Sequence, residues 1–427
     1  MLVGIERENA GRPAQSMPLY TFPDRRRAKL SAGGIISCSA AHTNPPFEMP
    51  PKVLHGEPSK TEAIFLLVLT FGAQVFEVFR TIGWRARATG VFDNLDNSNY
   101  LFIVNFIRHW TPTTSFDLNH FWGYPYFIIA VSTIFHLQAL DALIVISISS
   151  SLVTCLLVHK LYGGLVAVAF GMVSSTWILL SVFGGCEPLF LALLFGSFLA
   201  VRHERWVMAA LLGCLATTVR PIGVLMPVAL FGYLLWLRNW RATVRVSTVG
   251  VAMAAAYLTP VYLLTGNALL QLMIYSTAWQ THDFPLAHRG LLTIPLLRLT
   301  QSLYYLHGTW TSTALKLVWI LVAIVGAILL WTPRRWRDLP PVETLYACAY
   351  SAFLLCYNFD YVALYVRRFI LPLLPFILFA VRRWIPRDRR ILWPLAALSI
   401  VFNTVVLFGL KTVFGLRAPG VALKRWE

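Results

Sequence analysis

An all-α, polytopic membrane fold is predicted for this 427-residue chain, and three observations predict it. Only 13% of the residues are charged, about half the share found in soluble domains. Hydrophobic residues make up 57% of the chain and the mean hydropathy is +0.64. The apolar residues are also gathered into runs of spanning or near-spanning length. A bilayer-crossing helix needs about 20 mainly apolar residues. Runs of this kind fall at 63–79, 141–158, 161–183, 188–201, 206–218, 221–237, 244–264, 313–331, 342–357, 369–381 and 391–410. Several are short, so their ends extend into flanking polar residues or the helices are broken.

The segment 121–137 is aromatic and carries Gly123 and Pro125 near its start. Charge bias decides how to read it. If it lies along the surface, Lys160, Arg202, Arg205 and the basic stretches 238–245, 334–337 and 382–390 fall on one side. That side is cytoplasmic by the positive-inside rule. The expectation is therefore about 11 transmembrane helices, with interfacial helices in the first extracytoplasmic loop. The formal net charge of +17 sits mostly in short loops that meet anionic headgroups, so membrane lipids are expected partners and nucleic acid is not.

Residues 1–60 are rich in Pro, Arg, Ser and Gly and contain Arg25-Arg26-Arg27. They read as a disordered cytoplasmic tail, or as a stretch ahead of a translation start near Met49. Residues 61–410 form the expected transmembrane domain, and 411–427 a short C-terminal tail. The six cysteines form no CxxC pair; most lie in apolar runs, where cysteine acts as a small hydrophobe. No metal site and no cofactor are expected.

The opposite, extracytoplasmic side receives Asp93, Asp96, Asp117, Asp141, Glu187, Asp283 and Asp360. Ionisable groups beside hydrocarbon are costly, which makes them functional candidates. Asp93 and Asp96 are three apart, so a helix would set both on one face with Tyr100 one turn beyond Asp96; Asx turns built by Asn94, Asn97 and Asn99 are the alternative. A positioned carboxylate suits proton removal from a hydroxyl acceptor. Glu187 follows Gly184-Gly185 and precedes Pro188: it orients an acceptor, shares the base role, or caps a helix N-terminus. Arg220 precedes Pro221, and Arg367-Arg368 open a late apolar segment with Pro372 and Pro375. Guanidinium groups suit a phosphate, while at a membrane surface they also serve as anchors. His282 and Asp283 lie in an aromatic loop at 265–311 whose spacing fits no established zinc pattern. That loop is expected to cover an acceptor entrance, with Tyr100, His282 and Asp283 on the acceptor side.

The order of four stretches resembles the GT-C superfamily of integral membrane glycosyltransferases. They are LDNSNYLFIVNFIRHW followed by FWGYPYFI, GGCEPLFLALLF, ATTVRPIGVLMP and RRFILPLLPFILF. Within the superfamily the chain is most similar to the glycosylphosphatidylinositol mannosyltransferases of the second-mannose step and their bacterial relatives. It departs from them at Leu95, where Trp is usual, and at Asn97 and Ser98, where His and Glu are. The resemblance spans roughly residues 63–410. It implies a polyprenyl-phosphate-linked sugar donor (mannose or another hexose), an inverting mechanism, and Asp96 as the matching base with Asp93 its neighbour. It also implies a multi-pass protein of the bacterial plasma membrane, or of the endoplasmic reticulum in a eukaryote. A transporter or lipid flippase is the competing class; it calls for internal inverted repeats and midplane charges, which the sequence does not display.

Overall fold

The computed structural model describes residues 97–109, 118, 120–173, 175–182, 184–271, 273, 310–332, 339–356, 366–386, 388, 390–399 and 401, together with eight positions between 61 and 76. Asp93, Asp96, His282, Asp283, the 1–60 tail and the 411–427 tail lie outside the described residues.

Among the described residues the chain is helical, without a strand. The helices are α1 (Asn97–His109), α2 (Gly123–Ile134), α3 (Ala139–Tyr162), α4 (Gly164–Val173), α5 (Ser175–Val182), α6 (Glu187–Arg202), α7 (Trp206–Val219), α8 (Leu225–Trp236), α9 (Trp240–Thr265), α10 (Trp310–Trp331), α11 (Pro341–Cys356), α12 (Val366–Phe369) and α13 (Leu374–Ala380). Two of these, α3 and α9, are long and apolar enough to cross a membrane. Shorter apolar helices account for α2, α7, α11 and parts of the rest. At 12 residues, α2 covers the segment that sequence could read either way. It rises only about 18 Å, less than a bilayer core of about 30 Å.

Local sequence explains most boundaries. α3 carries Asp141 in its first turn and His159 and Lys160 in its last, the arrangement the helix dipole favours. It stops at Gly163, whose φ of 94° is open to glycine. α9 begins at Asn239, whose side chain accepts from the Ala242 N–H, and ends at the left-handed Gly266.

Two apolar runs differ from the single helices their composition suggests. Run 161–183 is split into α4 and α5, bent by 84°. Run 369–381 contains a turn between α12 and α13. There Pro372 and Pro375 contribute no backbone N–H, and the Leu374 N–H reaches back to the Ile370 carbonyl.

The core lies where α3, α6 and α7 pack together, with α11 and α13 against them. Tyr162, Phe195, Phe198, Tyr346 and Phe376 interlock there edge to face or tilted, a geometry aromatic quadrupoles favour. By contrast α9 leaves Val244, Val251, Tyr262 and Leu263 exposed. On so apolar a helix, that outer face is one for lipid.

Candidate functional site

Glu187 is the first residue of α6, and Pro188 follows it at a position where a helix tolerates proline. The carboxylate is buried. The Arg368 Nε donates to its Oε1, and Arg220 Nη1 lies 3.1 Å from the same oxygen. Both arginine side chains are themselves largely enclosed, at 14% and 9% exposed for Arg220 and Arg368. Two guanidinium groups therefore meet on one carboxylate oxygen.

Each arginine is delivered by a helix interruption that the sequence writes locally. Pro221 disfavours helical geometry in the residue before it. Arg220 is accordingly extended (φ −140°, ψ 129°), ending α7, and a short 3₁₀ turn, Pro221–Val224, leads into α8. Close approach across this break requires Gly223, because a Cβ there would sit 2.7 Å from the Ala216 carbonyl carbon. Arg368 sits in the single turn α12, just ahead of the Pro372 break. The Arg220 guanidinium also lies 5.4 Å from the centre of the Phe369 ring. A desolvated cation–π contact of this kind contributes up to about 2 kcal/mol. The Phe369 carbonyl is fixed in turn by the Tyr350 hydroxyl at 2.8 Å. Arg367, the neighbour of Arg368, is partly buried.

The turn that presents Glu187 is held from three helices. The Tyr124 hydroxyl donates to the Gly184 carbonyl at 2.9 Å, and Ser147 Oγ lies 3.3 Å from the Gly185 carbonyl. The Tyr100 hydroxyl donates to Cys186 Sγ at 3.1 Å. The Cys186 S–H faces Glu187 Oε2 at 3.9 Å. Gly184 adopts φ 85°, and a Cβ there would fall 1.7 Å from Leu143 Cδ2. Gly184→Ala is therefore expected to lower stability by about 1–3 kcal/mol through overpacking. The expected readout is a drop in the thermal unfolding midpoint in detergent; an unchanged midpoint would contradict this packing.

Among the predicted residues, the structure brings Glu187, Arg220 and Arg368 into contact, with Tyr100 reaching them through Cys186. Tyr100 is buried, its ring edge-on to His120 and Tyr124, so it stands behind Glu187 within the packing. Cys186, read from the sequence as a small hydrophobe, is also a hydrogen-bonding link. Sequence reasoning passed over the roles of Tyr124, Ser147 and Phe369; the FWGYPYFI block was the available signal for Tyr124 and the RRFILPLLPFILF block for Phe369. Among the described residues no group of three or more His, Cys, Asp or Glu side chains is arranged to hold a metal ion.

A cavity of about 430 Å³ opens between α7, α8 and α9. Its lining is apolar and includes Thr217, Thr218 and Val224, which flank the Arg220–Pro221 break in the chain.

No family model matches the chain, and no curated protein matches it. Among solved structures, ArnT from Cupriavidus metallidurans bound to undecaprenyl phosphate is similar to it. The TM-score is 0.42 and the identity 14%, over 84% of this chain and 73% of that one.

Proposed function

We propose that this protein is an integral membrane glycosyltransferase. It moves a sugar, mannose or another hexose, from a polyprenyl-phosphate donor to a hydroxyl acceptor on a lipid, glycan or protein at the extracytoplasmic face. The observation that carries this reading is the convergence of Arg220 and Arg368, each at a helix break, on the buried Glu187 in a largely enclosed site. Arg367 is the sequence neighbour of Arg368. The ordered sequence motifs point the same way.

The chemistry follows from the charges. A polyprenyl-phosphate sugar is a phosphodiester with one negative charge. Asp96 takes the acceptor hydroxyl proton as that oxygen attacks the anomeric carbon. The bond from this carbon to the phosphate oxygen breaks, and polyprenyl phosphate departs as a monoester with a second negative charge. One displacement at the carbon inverts its configuration. Guanidinium groups fixed beforehand stabilise the charge that develops on the leaving oxygen, and their forked donors match phosphate geometry. The apolar cavity beside the Arg220 break offers room for the donor's first isoprene units.

The decisive experiment incubates purified protein with a panel of polyprenyl-phosphate sugars and follows consumption of the donor lipid. Arg368→Ala and Arg367→Ala are expected to weaken donor binding by roughly 10–100-fold each, the worth of a hydrogen bond to a charged group. Unchanged donor affinity in both variants would remove these arginines from the site. Counterflow of a labelled substrate in proteoliposomes with no covalent product would replace the transferase reading with transport.

A further inference from the structure

Pro372 withholds a donor that the turn carrying Arg368 would otherwise use. In a continuous helix the Phe369 carbonyl takes the N–H of residue 373, or that of residue 372 in a tighter turn. Pro372 has no N–H, and the Leu373 N–H goes to the Ile370 carbonyl at 2.9 Å. The donor comes from another helix instead. Tyr350 of α11, only 1% exposed, donates its hydroxyl to the Phe369 carbonyl at 2.8 Å. Its ring lies 5.7 Å from that of Tyr346, one turn earlier, which in turn packs on Phe198 and Phe376. A phenylalanine would fill nearly the same volume; what tyrosine adds is the hydroxyl.

Phe369 stands between the two arginines of the site. Its backbone follows directly on Arg368, whose Nε donates to Glu187 Oε1. Its ring faces the Arg220 guanidinium at 5.4 Å, and Arg220 Nη1 is 3.1 Å from the same carboxylate oxygen. The geometry points to Tyr350 as a positioning residue for both arginines. One hydroxyl fixes the turn that brings Arg368 into the site and the ring against which Arg220 rests. Tyr350 acts through Phe369, not by touching a substrate. Guanidinium groups stabilise developing charge best when their positions are set beforehand, and small misplacements of such groups are costly. The bearing on phosphate rests on the reading of this site as a phosphate-binding site; the positioning itself does not.

The test uses the whole protein in lipid nanodiscs, with isotope-labelled arginine for magnetic resonance and undecaprenyl phosphate as the probe. A guanidinium over an aromatic face has its proton resonances displaced upfield by the ring current. The Arg220 Nε–H resonance, assigned by its loss in Arg220→Lys, is expected to lose part of that displacement in Tyr350→Phe. The same variant is expected to raise the dissociation constant for undecaprenyl phosphate roughly 3–10-fold, the worth of one hydrogen bond. Phe369→Leu takes the ring away from Arg220 and is expected to raise it about tenfold. The double variant is expected to weaken binding by distinctly less than the product of the two factors, because both substitutions act at one contact. An Arg220 resonance that stays in place in Tyr350→Phe, or factors that multiply, would overturn the inference. A resonance that moves, in a protein whose unaltered form does not bind undecaprenyl phosphate, would uphold the positioning and overturn the phosphate reading. Tyr350→Phe keeps the packing volume, so the variant is expected to fold.

Discussion

Arg202→Ala is expected to destabilise the protein by about 3–5 kcal/mol, the scale for stripping one partner from a buried ion pair. Arg202 is the last residue of α6, at the opposite end from Glu187. At about 1.5 Å per residue the two ends are about 22 Å apart. Its guanidinium grips Glu343 of α11 with both arms, Nε to Oε1 at 2.7 Å and Nη2 to Oε2 at 2.9 Å. The remaining arm donates to the Leu161 carbonyl at 2.7 Å, and the Tyr162 hydroxyl donates to Glu343 Oε2 at 2.9 Å. One side chain thus ties the end of α3 and the start of α11 to α6. The Glu343 side chain is 0% exposed, so without Arg202 a carboxylate stays buried beside the Tyr162 hydroxyl that donates to it. Chemical or thermal unfolding in detergent, followed by tryptophan fluorescence, measures the loss. The double variant Arg202→Met with Glu343→Met is expected to recover most of it, since well-packed apolar residues replace a buried pair at little cost. A single variant as stable as the parent would show that the pair contributes nothing.

Asp96→Asn is expected to reduce sugar transfer by about 10²–10⁴-fold, the usual contribution of a general base. Asparagine keeps the size and one oxygen of the carboxylate but does not accept the acceptor's proton at neutral pH. Asp96 directly precedes α1 in the chain. That helix starts at the buried Asn97, and Tyr100, one turn along, is anchored to Cys186 beside Glu187. The start of α1 is therefore registered against the turn that presents Glu187. The loss should appear in turnover with undecaprenyl phosphate binding unchanged, because the proposed base acts on the acceptor. Transfer retained within a few-fold would dismiss Asp96 from the chemistry. Weakened phosphate binding in this variant would instead give Asp96 a part in holding the donor side.

Much of the fold was legible because lipid demands it. Apolar residues at 206–218 and 342–357 were predicted spans, and helices α7 and α11 occupy those stretches. Charged residues at helix ends were also readable, since hydrocarbon leaves them few places to be. The 84° bend between α4 and α5 was not readable. Its run contains no proline, and the Gly171, Ser174, Ser175 and Thr176 that interrupt the apolar pattern at the break do not encode a direction. In the site, Pro221 announced the extended Arg220, and Gly184-Gly185 announced a tight approach ahead of Glu187.

The sequence by itself determined that the chain is helical and lipid-embedded, where proline breaks its helices, and which few charges stand near hydrocarbon. Those follow from transfer free energy and backbone sterics, which act over a few residues. Only the tertiary structure decided which charge meets which. Arg368 reaches Glu187 across 181 residues, and Arg202 reaches Glu343 across 141. Among the described residues five arginines are buried or half-buried, and sequence alone lets them pair with the acids in many ways. Packing of α3, α6, α7 and α11 selects one of these. It brings two guanidinium groups onto one carboxylate oxygen, Glu187 Oε1, at one end of α6, and locks the bidentate Arg202–Glu343 pair at the other.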